Sequence, residues 1–352
     1  MELIECIEKL EKSKIKAGDG EKEGKYPLYT CSPKVNKFLD NYLYDTEAII
    51  LSTGGNPIIN YHKGEFSYST DCLAIKSNGE FENKYLYYYL ISKINDIAKM
   101  FRGAGIKHLN KKELFQININ LIDKREQIII VKSLDMINEI IELKKKQLEE
   151  LNTIIKSQFV EMFGEPLISN NYGRITLDKL IRVSQGLQIP IEKRKNEKGN
   201  NSYKYITIQY LNGSKKEEYI ENPNDRVICS KDDVLMTRTG NTGQVITNVE
   251  GVFHNNFFKM DYDRKRINKE FLIKYFENES VYKDIIRRAT TSTIPDLSHS
   301  QFYKMSIDLP PINLQNQFSE IVKQIDKQKF EIEKSLKETQ ELYDSLMEKY
   351  FG

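Results

Sequence analysis

The segment REQIIIVKSLDMINEIIELKKKQLEELNTIIKSQFVEMFG, residues 125–164, decides how this chain is organised. Its apolar residues recur in steps of 4, 3, 4, 7, 3, 4 and 7, at Ile130, Leu134, Ile137, Ile141, Leu148, Leu151, Ile155 and Met162. This spacing of about 3.5 residues predicts a long helix over 124–163 with one apolar seam. A helix of about 40 residues spans about 60 Å and cannot bury such a seam by itself.

A second segment, 316–350, continues the same pattern near the end of the chain, at Phe318, Ile321, Ile325, Ile332, Leu342 and Leu346. We therefore expect the two helices to pack on each other as an antiparallel pair. In the alternatives, each helix packs on its own globular part or on a second protein chain. The predicted packing residues are Leu134, Ile137, Ile141, Leu148, Leu151, Ile155, Ile321, Ile325, Ile332, Leu342 and Leu346.

The parts of the chain that precede these helices are repeated. LNKKELFQININL at 109–121 resembles LSHSQFYKMSIDL at 297–309, an offset of 188 residues. Further matches follow in the same order: AIILSTGGN at 48–56 with DVLMTRTGN at 233–241, and NKYLYYYL at 83–90 with NKEFLIKYF at 268–276. Ordered matches of this kind indicate two copies of one unit, each a globular part followed by a long helix.

Within the globular parts, short β-branched and aromatic runs predict strands, namely AIILS, FSYSTDCLAIK, YKYITIQYL, RVICS, DVLMTR and GQVITNV. Two longer runs, 83–103 and 268–290, predict helices. The expected fold class is α+β: two similar mixed α/β domains joined by a pair of long antiparallel coiled-coil helices, with a pseudo-twofold duplication.

Composition excludes several classes of protein. The net charge is only +2, so the chain is not a broadly polycationic nucleic-acid coat. No run of 18 apolar residues predicts a membrane span, and the first residues lack a signal-peptide core, so we expect a cytoplasmic location. The four cysteines and four histidines lack metal-ligand spacing, and no metal site is predicted.

Catalytic motifs are also missing from the sequence. LSTGGNPI, residues 51–58, lacks the lysine of a phosphate-binding loop. DLPPI, residues 308–312, has neither the spacing nor the aromatic residue of an amino-methyltransferase motif. These observations favour a chain without catalytic residues. Two alternatives stay open: a methyltransferase or nuclease that acts alone, and a coiled-coil scaffold whose globular ends bind proteins or sugars.

Four loops carry side chains suited to DNA. A glycine turn can bring a side chain to a base edge or a phosphate, and basic loops can hold phosphates. The turns are 52–56 and 237–241, and the basic loops are 191–199 and the equivalent pair 100–110 and 285–297. For each loop, a solvated surface loop is the alternative. The candidate DNA-binding residues are Thr53, Asn56, Arg102, Lys107, His108, Lys193, Arg194, Lys195, Arg238, Thr239, Asn241, Arg287 and Arg288.

Over nearly its whole length, the chain resembles the specificity subunit of Type I DNA restriction–modification systems. The resemblance is carried by KYPLYTCS (25–32), LSTGGNPI, LNKKELFQININL, DDVLMTRTGNTGQV (232–245) and LPPINLQNQFSEIV (309–322), together with their tandem order. It implies target-recognition domains at 1–122 and 164–312, a central spacer helix at 123–163 and a C-terminal spacer helix at 313–352.

The resemblance also implies a division of labour. Each target-recognition domain reads one half of a bipartite target on double-stranded DNA, and the spacer helices set the separation of the halves. Two DNA methyltransferase subunits are the implied partners and use S-adenosylmethionine. A restriction/translocase subunit, with ATP and Mg²⁺, is a further implied partner. The chain itself is expected to bind no cofactor or metal and to have no catalytic residue.

Overall fold

The computed structural model describes residues 1–289 and 294–352, and the chain divides into two compact units. Unit 1 comprises Met1–Lys145 and Glu333–Gly352, and unit 2 comprises Lys146–Ile332. Both divisions fall inside long helices. Each unit therefore contains one globular part and one stretch of each long helix.

Unit 1 is built on a six-stranded sheet of order β1-β6-β4-β5-β2-β3 and a ribbon of β7 and β8. The strands are β1 Ile7–Lys9, β2 Tyr26–Tyr29, β3 Phe38–Leu39, β4 Tyr44–Ser52, β5 Ile59–Tyr68, β6 Cys72–Ser77, β7 Phe101–Arg102 and β8 His108–Leu109. The helices are α1 Asn83–Ser92, α2 Ile94–Lys99, α3 Lys111–Phe115 and α4 Lys124–Phe163, of which α4 continues into unit 2. Neighbouring strands are antiparallel except β2 and β5.

In the described part of unit 2 there are two four-stranded sheets, β10-β17-β14-β15 and β12-β11-β16-β13, and a β18-β9 pair. The strands are β9 Arg174–Thr176, β10 Ile181–Gln185, β11 Ser202–Ile206, β12 Tyr219–Glu221, β13 Ile228–Cys229, β14 Val234–Thr237, β15 Val245–Ile246, β16 Gly251–Phe253, β17 Phe257–Tyr262 and β18 Ser306–Asp308. The helices are α5 Ile208–Leu211, α6 Lys269–Glu277, α7 Glu279–Arg288, α8 His299–Tyr303 and α9 Ile312–Phe351, of which α9 ends in unit 1.

Strand β4 shows why the sheet of unit 1 is stable. Successive side chains of a strand point to opposite faces. Ile49 and Leu51 join the core beneath α1, whereas Ala48 and Ile50 join a second apolar cluster on the other face. Because both faces are covered, the run AIILS contains no polar residue.

A buried glutamine at the start of each long helix repeats in atomic detail. Gln127 of α4 accepts a hydrogen bond from the Glu82 backbone N–H at 2.8 Å. Gln315 of α9 accepts one from the Asn268 backbone N–H, also at 2.8 Å. Both side chains are fully buried, and each also donates to a carbonyl five residues earlier, at 3.0 and 2.7 Å. The offset of 188 residues thus holds for side-chain contacts as well as for sequence.

Helices α4 and α9, each of 40 residues, pack on each other in both units. In unit 1, Leu134 of α4 shares a core with Met347 of α9. In unit 2, Phe159 of α4 packs against Phe318 of α9, with ring centroids 5.5 Å apart. The early part of α4 therefore meets the late part of α9, and the reverse holds in unit 2. This order confirms the expected antiparallel pair.

A lysine lies in the polar middle of this seam. Lys144 Nζ donates hydrogen bonds to the Ser335 carbonyl at 3.1 Å and to Thr339 Oγ1 at 3.0 Å. It also donates to Ser335 Oγ. The break in the apolar pattern of each helix is thus matched by polar groups of the other helix.

The heptad prediction was wrong towards the ends of the helices. Leu342 is 51% exposed, and Met347 and Phe351 are buried instead. In α4, the buried side chain after Ile155 is Phe159, not the predicted Gln158. At these ends each helix packs on a globular core as well as on the other helix, so its buried face follows about 3.6 residues per turn.

Two further predictions need correction. YKYITIQYL is not one strand, because Thr207 Oγ1 accepts a hydrogen bond from the Tyr210 N–H at 3.1 Å and caps the short helix α5. The predicted helix over 268–290 is two helices. Asn278 ends α6 in an extended conformation, and its side chain accepts from the Ser280 N–H to begin α7.

Candidate nucleic-acid interface

In unit 1, the β4–β5 turn is held by hydroxyl groups at its base. Ser52 Oγ donates to the Asn56 carbonyl at 2.6 Å and accepts from the Ile58 N–H at 2.9 Å. The N–H and hydroxyl of Thr53 both donate to the Asp71 carbonyl, at 2.7 and 2.8 Å. With its base fixed, the turn exposes only Gly55 and Asn56 at its tip.

A second segment of unit 1, residues 102–108, runs antiparallel beside this tip. The Gly55 N–H donates to the Lys107 carbonyl at 2.9 Å, and the Leu109 N–H donates to the Thr53 carbonyl at 3.0 Å. The structure therefore brings Arg102, Lys107 and His108, all exposed, to the same edge as Thr53 and Asn56. Arg102 forms an ion pair with Glu113 at 2.6 Å.

Unit 2 repeats this arrangement. Thr237 takes the place of Ser52: its hydroxyl donates to the Asn241 carbonyl and accepts from the Gln244 N–H at 2.9 Å. The Leu297 N–H donates to the Arg238 carbonyl at 2.8 Å, as Leu109 does to Thr53. The two turns thus share one backbone design, and Gly240 and Asn241 form the exposed tip in unit 2.

The side chains at equivalent positions differ between the units. In unit 2, Arg238 Nη2 lies 2.7 Å from Asp296 Oδ2, and its guanidinium lies over the Phe258 ring at 5.4 Å. Thr239 Oγ1 donates to the same carboxylate. Their counterparts in unit 1 are Thr53, Gly54 and, in place of Asp296, His108.

The expectation that Arg238 is exposed on its loop was wrong. Its side chain is only 16% exposed, because the ion pair with Asp296 and the Phe258 ring hold it beneath the turn. Arg238 and Thr239 therefore fix the turn against segment 294–297. The sequence missed Asp296 because the partners lie 58 residues apart.

The basic loop of unit 2 is also more structured than expected. Residues Ile191–Lys193 form a 3₁₀ turn, and Lys193 and Lys195 are exposed. Arg194, predicted with them, is nearly buried. It pairs with Glu218 at 3.2 Å, donates to the Ile189 carbonyl and lies over the Tyr205 ring.

Arg287 and Arg288 do not lie in a loop, which corrects the prediction, because both belong to the last turn of α7. They share the buried carboxylate of Asp284, with Arg288 Nε at 2.6 Å. Burial alone would raise the pKa of Asp284, but the hydrogen bonds and charges of Arg288 and Arg287 outweigh it and lower that pKa. Arg287 remains mostly exposed. Part of the predicted loop, 290–293, lies outside the described residues.

Among the residues described, 1–289 and 294–352, no three His, Cys, Asp or Glu side chains are grouped to hold a metal ion. Within the same ranges, no helix has the length of apolar sequence needed to cross a bilayer.

Comparison with known proteins decides the family. A family model described as Type I restriction modification DNA specificity domain matches residues 1–153 and 174–342. The chain belongs to this family. The two matched stretches cover most of the chain, and the predicted resemblance is confirmed.

Curated relatives carry the same description. The chain is 29% identical over 161 residues to the Type I restriction enzyme EcoDI specificity subunit of Escherichia coli, a match that covers 44% of this chain and 34% of that protein. It is 23% identical over 367 aligned residues to the MjaVIII specificity subunit of Methanocaldococcus jannaschii, covering 92% of this chain and 86% of that protein. The match to the first relative thus spans about a third of its length.

Solved structures share the fold. The crystal structure of a Type-I restriction-modification system S subunit from M. genitalium has a TM-score of 0.66 at 17% identity, covering 100% of this chain and 95% of that one. A structure of a type I R-M system, from work on its complex assembly, has a TM-score of 0.56 at 16% identity, covering 88% and 82%. At such identities the likeness concerns the fold. The expected fold class of two similar domains with long paired helices is confirmed.

Proposed function

We propose that the chain is the non-catalytic, sequence-specific DNA-recognition subunit of a Type I restriction–modification complex, and that each unit reads one half of a bipartite target. One observation carries the proposal beyond family membership: both units present the same hydroxyl-braced turn, with different side chains around it. Sites on rigid elements fix geometry well, and side chains at base edges decide sequence. Equal frames with unequal side chains suit two different half-sites.

Phosphate contacts would supply much of the affinity. In unit 1, Lys107 and His108 flank the tip, with Arg102 nearby. In unit 2, the exposed cations are Lys193, Lys195 and Arg287. Binding that relies on such groups releases counterions and weakens as salt rises. Arg194, Arg238 and Arg288 act as positioning residues in this proposal, because their guanidinium groups are engaged inside unit 2.

Two DNA methyltransferase subunits are the proposed partners. On the unit 1 part of α4, Ile129, Met136, Ile140 and Leu143 are exposed at heptad-like spacing. This stripe is separate from the seam that faces α9, which contains Leu134 and Lys144. A partner helix with an apolar face would cover it. S-adenosylmethionine would bind to those partners, and ATP and Mg²⁺ to a restriction/translocase subunit.

The alternatives have no support: the family match favours neither a methyltransferase or nuclease that acts alone nor a scaffold that does not bind DNA.

The test is a reconstitution. The chain, copurified with its methyltransferase subunits, should bind target duplex in a salt-sensitive manner and transfer labelled methyl groups, whereas the chain alone should transfer none. Met136→Asp should impair copurification, and Ile168→Asp, which alters an exposed apolar residue outside the stripe, should not. Methyl transfer by the chain alone, or a complex that ignores DNA, would contradict the proposal.

A further inference from the structure

One large apolar side chain is exposed at the same place in both units. Ile106, beside the tip of unit 1, is 73% exposed, and Ile294, in the equivalent segment of unit 2, is 55% exposed. The two positions are related by the offset of 188 residues. Isolated exposed apolar residues are ordinary on protein surfaces. Exposure of an isoleucine at the same position in both copies, next to the candidate DNA-binding turns, indicates a shared use.

The strand register places an asparagine opposite each isoleucine. In unit 1, Gly54 pairs antiparallel with His108, so the next two positions bring Asn56 level with Ile106. The hydrogen bond from the Gly55 N–H to the Lys107 carbonyl, at 2.9 Å, confirms this register.

Unit 2 has the same register. Thr239 pairs antiparallel with Asp296, which brings Asn241 level with Ile294. Thr242 Oγ1 also donates to the Pro295 carbonyl at 2.7 Å and ties the two segments together. Asn56 and Asn241 are both exposed, and neither carboxamide is hydrogen-bonded to any residue that the structure describes.

An exposed carboxamide beside an exposed aliphatic group matches one base pair. In the major groove, adenine offers N7 and N6–H₂, to which an asparagine can form two hydrogen bonds, and thymine offers a C5-methyl group for apolar contact. Guanine and cytosine present no methyl group there. Lys107, next to Ile106, is placed to hold a neighbouring phosphate.

We propose that each unit carries an A·T-reading couple: Asn56 with Ile106 in unit 1, and Asn241 with Ile294 in unit 2. The asparagine hydrogen-bonds an adenine edge, and the isoleucine contacts a thymine methyl of the same or the adjacent pair. This inference rests on the proposed DNA-recognition function and adds to it the base pair that each half-site must contain.

Rigid support lets such small contacts discriminate between bases. The carbonyls of Asn56 and Asn241 accept hydrogen bonds from Ser52 and Thr237, which fixes each tip on the end of a strand. In unit 2, the Arg238–Asp296 pair holds the segment of Ile294 against the turn. Side chains held in this way reach a base edge without first having to be ordered.

The test removes one methyl group at a time. Modified-base sequencing of cells carrying the complex gives the target, and the assembled complex is then titrated with duplexes in which single thymines are replaced by uracil. We expect about fourfold weaker binding at one thymine in each half-site. Ile106→Ala should abolish the uracil effect in one half only, and Ile294→Ala in the other. Ile168→Ala, at a position 80% exposed, is the matched control and should change nothing.

The asparagines are tested by base substitution. Asn56→Ala and Asn241→Ala should each reduce discrimination at one A·T pair by about tenfold. Half-sites without an A·T pair, indifference of the wild-type complex to uracil, or an unchanged uracil effect in both isoleucine variants would overturn the inference while DNA binding itself persists. A complex that binds no target duplex would instead refute the proposed function and the inference with it.

Discussion

Replacing Arg238 by alanine tests how unit 2 holds its recognition turn. The change removes the ion pair with Asp296 at 2.7 Å and the cation–π contact with Phe258. A charged hydrogen bond that is largely shielded from water contributes about 1.5–3 kcal/mol, and the ring contact adds about 0.5–1 kcal/mol. Arg238→Ala should therefore lower the free energy of unfolding of unit 2 by about 2–3 kcal/mol.

Thermal unfolding of the full chain measures this loss. For a unit of this size, such a loss corresponds to a fall of about 5–10 °C in the Tm of the transition that involves unit 2. Hydrogen exchange should also quicken at Leu297, whose N–H donates to the Arg238 carbonyl. Arg182→Ala, an exposed arginine of the same sheet, is the control. DNA affinity lost with Tm and exchange unchanged would refute the positioning role and return Arg238 to the DNA surface.

The remaining predictions concern stability. Gln127→Leu and Gln315→Leu should each cost about 1–3 kcal/mol in denaturant unfolding, because each leaves a buried N–H without an acceptor; clearly unequal costs would argue against equivalent units. Ser335→Val should destabilise unit 1 more than Lys144→Leu, because only the former leaves a half-buried ammonium short of acceptors; the reverse order in thermal melts would contradict this. Burial, and then the charge of Arg238, lower the pKa of His299, so the unfolded chain takes up the proton more readily. Stability from this group is full above about pH 6.5 and is lost as the pH falls towards the folded pKa; melts at stepped pH should show a shallower loss for His299→Gln, and an unchanged slope would count against it.

The sequence was sufficient for the architecture because two strong patterns carry it. The heptads predicted α4 over its observed length, and the 188-residue repeat predicted the duplication seen at Gln127 and Gln315. The ends of the seam could not be predicted, since Phe159 and Met347 are buried by globular cores that are remote in sequence.

The candidate interface was predictable as loops but less so as side chains. The aligned turns pointed to Asn56 and Asn241, which the structure leaves exposed at equivalent tips. Arginine on a glycine turn was read as exposed, but Asp296 engages Arg238, and no local pattern reveals a partner so far along the chain. Ile106 could have been noticed from its alignment with Ile294, although exposure of an apolar residue is not visible in sequence.

Domain exchange followed by modified-base sequencing tests the central claim most directly. Residues 171–307 are replaced by the corresponding part of another family member, and the modified motif is read in cells that also express the partner methyltransferase subunits. If each unit reads one half-site, one half of the motif changes while the other half is retained. A motif that changes in both halves, or in neither, would contradict the account.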